Sequence, residues 1–213
     1  MMNKQKISRL SAILFFGACF GIVEATIGYV LHLEFITPFL AGSLLFPFAM
    51  LLLAKAYQVT QSRGSVIAVG IVAALIKSIN FFLPYTNPFR IINPMIAIVI
   101  ESLLVFAVIQ VMTKSTLPKQ LAMVIGLSFA WRVVYIAYFG IQSLFPPHFV
   151  AWQIQSLGNF SSFVIVEGLL SGLFGSLLWG MDSVFKKPAF SWSKSPVFSS
   201  VMVGLAIVVT ILL

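Results

Sequence analysis

Charge is what this sequence lacks most. Only 8% of its 213 residues are charged and 60% are apolar, against roughly 25% charged residues in soluble domains. A chain this poor in polar groups cannot clothe itself for water, which excludes a soluble globular protein. Cysteine occurs once, at Cys19, which excludes an internal disulfide and any thiol-pair redox cycle. Two histidines and five acidic residues leave little for a multi-ligand metal site, and the unspaced His32 and His148 are poor material for haem ligation. No cofactor is expected. H-E-x-x-H, G-x-S-x-G and G-x-x-x-x-G-K-[ST] are all missing, so no metalloprotease, nucleophile-elbow or nucleotide-binding chemistry is signalled. The net charge of +8 does not point to nucleic acid, because no basic run exceeds Lys186-Lys187.

What is there comes in long apolar blocks, which lipid accepts and water does not. Seven segments stand out, at about 10–31, 38–54, 65–83, 92–113, 120–145, 159–181 and 197–213. Short breakers such as Thr37-Pro38, Gln61-Ser62-Arg63-Gly64 and Phe145-Pro146-Pro147 separate them. The expected fold is all-α, a single polytopic transmembrane bundle of six or seven helices. Basic residues test the count independently. Lys4, Lys6, Arg9, Lys55, Arg63, Lys114, Lys119, Lys186, Lys187 and Lys194 all fall on one side, whereas Arg90 alone falls on the other. The positive-inside rule therefore places the N-terminus in the cytoplasm, in a multi-pass protein of the cytoplasmic membrane. The seventh segment is the weakest, at 17 residues with no charge after it.

Five charges interrupt the spans: Glu24, Lys77, Glu101, Arg132 and Glu167. An ionised group at mid-bilayer costs a few kcal/mol, so it faces the bundle interior and finds a partner. Each lies 13 to 15 residues from the nearest cytoplasmic-edge charge. At ~1.5 Å of rise per residue, that sets all five roughly 20–22 Å from the cytoplasmic edge. In a hydrocarbon core about 30 Å thick this is the outer half. Three carboxylates and two cations thus share one layer, with one carboxylate in excess. Either these are ion pairs that fix helix register, or the layer lines a polar, solute-binding pocket. Asn80, one turn from Lys77, and Tyr135, on the same helical face as Arg132, suit the pocket. Pro146, Pro147, His148, Phe149, Trp152 and Gln153 are expected above it as a lid, or as an interfacial loop.

Spans 1–6 also read as three copies of a two-helix unit. Gly17-ACFGIV-Glu24, Gly70-IVAALI-Lys77 and Gly126-LSFAW-Arg132 align in the first helices, and segments around Pro47, Glu101 and Glu167 in the second. Gly168, Gly172, Ser176 and Gly180 recur every four residues along span 6, a face for close helix approach, either inside the bundle or against a separate partner.

Small size, six to seven helices, almost no soluble mass and an outward polar layer resemble the substrate-binding S components of energy-coupling-factor (ECF) transporters. The seventh span departs from that family's usual six. The resemblance implies capture of a small solute near the outer surface, with a membrane scaffold and ATPase subunits as partners. It also implies that small residues in the first helix, here Gly17, Ala18 and Gly21, meet the scaffold. The expected function is therefore a transport component binding a small polar or charged solute through Glu24, Lys77, Asn80, Glu101, Arg132, Tyr135 and Glu167. The alternatives are an assembly subunit of a larger membrane complex and, less favoured, an intramembrane enzyme using the carboxylates as acid and base.

Overall fold

A computed structural model describes residues 4–32, 41–84, 87–145, 150–185 and 191–213. Helices dominate these residues, and no strand occurs among them. In chain order they are α1 (Lys4–His32), α2 (Ala41–Thr60), α3 (Arg63–Ser78), α4 (Phe89–Met112), α5 (Leu117–Ser143), α6 (Leu157–Ser161), α7 (Glu167–Phe185) and α8 (Pro196–Leu212). A 3₁₀ turn, Ile79–Phe82, extends α3, and a wide π-helical turn, Ser162–Val166, joins α6 to α7. Six helical segments are long and apolar enough to cross a membrane, with Leu157–Ser183 counted as one. The protein is a multi-pass membrane protein. The C-terminal helix, at 17 residues, is shorter than a usual span of about 20.

Local chemistry sets the boundaries. Ser195 accepts a hydrogen bond from the Phe198 amide at 3.4 Å to cap α8, and Pro196 supplies a preset φ in its first turn. Ser156 likewise caps α6 by accepting from the Asn159 amide at 3.0 Å. Gln61, at φ 51°, turns the chain between α2 and α3. Two boundaries differ most from the sequence expectation. α1 starts at Lys4, because lysine and arginine are good helix formers and carry the helix past its apolar block. α2 runs on to Thr60, so Lys55 lies within it rather than beyond its end. Lys55 tolerates that place because its Nζ sits 2.6 Å from Asp182 Oδ2 of α7.

α2 is the centre of the bundle, packing against α1, α3, α4 and α7, while α5 bridges α4 and α7. The three expected two-helix units are three helical hairpins, α1–α2, α3–α4 and α5–α7, each with its helices side by side. α8 lies outside this group along α1, and the Ser199 hydroxyl donates to the Ser11 carbonyl at 2.7 Å.

Glycines decide how closely the helices approach. A Cβ on Gly17 would lie 2.5 Å from Val72 Cγ1 of α3, and one on Gly21 would lie 3.1 Å from Ile76 Cγ2. Ala18 is fully buried in a small cluster with Ile76 and Ala206. The first-helix small residues, expected to meet a separate scaffold, are therefore covered by α3 and α8. The reason is steric: only a residue without a side chain lets the β-branched Val72 approach so closely. The first half of the stripe on α7 also packs internally, Gly168 under Phe129 and Gly172 against Ser128 and Ile125 of α5, whereas Gly180 has nothing within 4 Å. Leu169, Leu173 and Leu177 point outward from the same helix toward lipid.

Candidate functional site

The charged residues of the spans converge inside the bundle. Arg132 on α5 is fully buried, and its Nη2 lies 3.9 Å from Glu167 Oε2, itself 2% exposed. Arg132 also feels the charge of Glu101 on α4, and Glu101 that of Glu24 on α1. Lys77, in the last turn of α3, acts on Glu24 in turn. Electrostatic coupling thus links Lys77, Glu24, Glu101, Arg132 and Glu167 in turn, with direct contact at the Arg132–Glu167 pair. Five helices contribute one group each. Tyr135, one turn beyond Arg132, is buried and feels the charge of both Glu24 and Glu101. Asn80 sits half-buried on the 3₁₀ turn after Lys77, and that turn packs against α3 and α8.

The two ends of this chain differ in character. At the Arg132 end the site is dry and aromatic. The guanidinium lies 4.6 Å from the Trp131 ring centroid and 5.5 Å from that of Phe163. Phe46 stacks on Trp131 at 6.0 Å, and Tyr135 packs between Trp131 and Phe139. Arg132 Nη1 donates to the Ser128 carbonyl at 2.8 Å. Its Nε and Nη2, Glu167 Oε1 and Trp131 Nε1 are buried without a hydrogen bond among the described residues. The π-helical turn ends directly before Glu167. By widening the helix it changes the register at which α7 presents that carboxylate. The backbone there is held by neighbours: Ser43 donates to the Glu167 carbonyl at 3.3 Å and Ser128 to the Gly168 carbonyl at 2.7 Å.

At the other end, Glu24 and Glu101 are only 8% and 5% exposed. Neither makes a salt bridge or side-chain hydrogen bond among the described residues. Their oxygens are absent from the sealed, unpartnered atoms that mark Arg132 and Glu167, so they border a narrow accessible space. Glu24 Oε1 extends along α1 to within 3.8 Å of the position a Gly28 Cβ would take. Pro146, Pro147, His148 and Phe149 of the expected lid lie outside the described residues. Trp152 is described: it is half-buried and packs edge-on against Phe163 at 6.3 Å, which makes it part of the aromatic wall. Gln153 follows it, also half-buried.

Sequence reasoning found the charges but missed that wall, Phe46, Trp131 and Phe163, because depth along a helix gives no azimuth. One signal marks the carboxylates. Each of the three glutamates inside the spans follows two β-branched residues and precedes a small one, in Ile22-Val23-Glu24-Ala25, Val99-Ile100-Glu101-Ser102 and Ile165-Val166-Glu167-Gly168. Ser102 fits against Gly70 and Gly168 against Phe129, so the small residue brings a neighbouring helix close beside two of the acids.

A separate cavity of about 440 Å³ opens where the end of α2 meets the start of α5 and the end of α7, lined by Tyr57, Gln61, Lys114, Gln120 and Asp182 among others. Its main polar groups satisfy one another: Trp179 Nε1 donates to Gln120 Oε1 at 2.7 Å and Asp182 pairs with Lys55. No three metal-ligating side chains cluster among the described residues. No family model, curated protein or solved structure matches the chain.

Proposed function

We propose that the chain is the solute-binding component of a membrane transporter, similar in role to an ECF S component. The observation that carries this reading is the chain of electrostatically coupled groups from half-buried Lys77 through buried Glu24, Glu101 and Arg132 to Glu167, contributed by five helices. Packing alone needs pairs, and Arg132 with Glu167 is such a pair. Glu24 and Glu101 are the surplus: two buried acids that feel each other's charge, with Lys77 acting on Glu24. Intramembrane ionisable groups in that condition mark solute or ion pathways. The solute sits between the Glu24–Glu101 pair and the aromatic wall at Tyr135, entering from the outer face. With no nucleotide-binding motif, uptake depends on a partner such as a scaffold with ATPase subunits, or on ion coupling. That partner docks on a face other than Gly17, Ala18 and Gly21.

An assembly subunit is the second reading, favoured by the dry Arg132–Glu167 lock. Native mass spectrometry of protein purified in mild detergent separates the two. A binding component carries a small-molecule adduct that Lys77→Ala and Glu101→Gln lose while staying folded. Identical spectra for wild type and both variants refute the binding reading.

A further inference from the structure

The cavity of about 440 Å³ lies at the end of a ring of four helices, in which α2 packs on α4 and α7, and α5 packs on the same two. The Arg132–Glu167 pair lies deeper in that ring. One side of α7 runs between them, bearing Glu167, Ser171, Gly175, Trp179 and Asp182 at helical spacing. A side buried for packing alone would carry leucines, as α7 does outward at Leu169, Leu173 and Leu177. This one carries two acids, a hydroxyl, an indole N–H and a glycine. Ser171 is fully buried, and among the described residues neither its Oγ nor Glu167 Oε1 has a hydrogen-bond partner. A polar file thus leads from the buried pair toward the cavity.

Two contacts and one constriction close that file. Lys55 Nζ of α2 lies 2.6 Å from Asp182 Oδ2, and Trp179 Nε1 donates to Gln120 Oε1 of α5 at 2.7 Å. Asp182, Trp179 and Gln120 all line the cavity. One turn deeper, a Cβ on Gly175 would lie 2.9 Å from Val124 Cγ1 of α5 and 3.7 Å from Pro47 Cβ of α2. Val124 and Pro47 therefore meet α7 in a narrow apolar collar. Pro47 has no N–H to give, so α2 lacks one backbone rung at that level and bends there most easily. On one side of Pro47, the Ser43 hydroxyl holds α2 to α7 by donating to the Glu167 carbonyl at 3.3 Å. On the other side, Lys55 does the holding.

We propose that the cavity is the inner vestibule of the solute's path, and that Lys55–Asp182 and Gln120–Trp179 are latches of a gate hinged at Pro47. With the latches parted, the Lys55 half of α2 swings from α7 and the collar opens between the vestibule and Ser171. This rests on the solute-binding reading and adds the exit to it. By the positive-inside rule, Lys55, Lys114 and Lys119 put the vestibule on the cytoplasmic side.

Thiol accessibility at position 171 tests the gate. The full chain carrying Cys19→Ser and Ser171→Cys, in membrane vesicles, meets a charged methanethiosulfonate reagent that does not cross lipid. With the latches intact, labelling is slow from either side. Lys55→Met/Asp182→Asn removes both charges together and strands neither. In inside-out vesicles it is expected to raise the labelling rate at least about tenfold, the equivalent of one charge-assisted hydrogen bond. In right-side-out vesicles the rate stays as it was. Trp179→Phe parts the other latch and also speeds labelling, which keeps the test decisive if the double variant fails to fold. Adding Pro47→Ala to the double variant restores the rung and slows labelling again. Ala73→Cys, fully buried on α3 outside the ring, stays unlabelled throughout. Fast labelling with the latches intact, a rate unmoved in both latch variants, a gain from the outer side alone, or equal exposure of Ala73→Cys overturns the gate. Undiminished labelling with Pro47→Ala overturns the hinge. The reagent reports without solute, so the gate stands or falls separately from any adduct in native mass spectra.

Discussion

Replacing Arg132 by methionine removes a charge from a position with no exposure and leaves Glu167, 2% exposed, without its partner. At 3.9 Å and an effective dielectric constant of about 20, the lost attraction is about 4 kcal/mol. That agrees with the ~3–5 kcal/mol usual for stripping one partner from a buried pair. The formal charge of the layer also goes from one negative in excess to two as the guanidinium is removed, and Glu101 loses the same neighbour. Glu167→Gln alone costs less, since Arg132 keeps Glu101. The double variant Arg132→Met/Glu167→Gln restores an excess of one negative charge, and so recovers most of the stability. The measurement is reversible unfolding in bicelles by titrated dodecyl sulfate, followed by helical circular dichroism. The coupling energy across the four proteins is expected to exceed about 2 kcal/mol. If Arg132→Met falls within about 1 kcal/mol of wild type, or the double variant equals the sum of the singles, the pair is solvated and the dry lock is wrong.

Two further outcomes follow from the close helix approaches. Gly17→Val drives a β-branched side chain into Val72 and the Val69 carbonyl and costs about 1–3 kcal/mol, whereas Gly204→Val, with nothing within 4 Å, leaves the same unfolding midpoint unchanged. Gly70→Ala collides with the Ser102 side chain; Ser102→Gly in the same chain is expected to restore the midpoint, and failure to do so places the strain elsewhere.

Much of the fold was legible because lipid imposes its own rules. Long apolar blocks bounded by Gln61-Ser62 and Asn87-Pro88 must be helices, and the one-sided lysines and arginines order them. The depth of Glu24, Lys77, Glu101, Arg132 and Glu167 could be counted residue by residue. Their neighbours could not, because hydropathy treats every side of an apolar helix alike. Nothing in Ser162–Val166 announces a π-helical turn, since its composition is that of any apolar helix. Lys55 looked like an end marker because a lysine ordinarily ends a span; only the distant Asp182 makes it an interior residue. Gly17 and Gly21 showed that something approaches α1 closely, and the fold was needed to show that it is α3.

The placement of α8 along α1 bears on how the protein is built. The ribosome delivers α1 to the membrane well over a hundred residues before α8. Throughout that interval the flank of α1 bearing Ser11 and Phe15, later met by Ser199 and Phe198, has only lipid for company. Assembly therefore finishes where it started, and faults in the last helix are felt at the first.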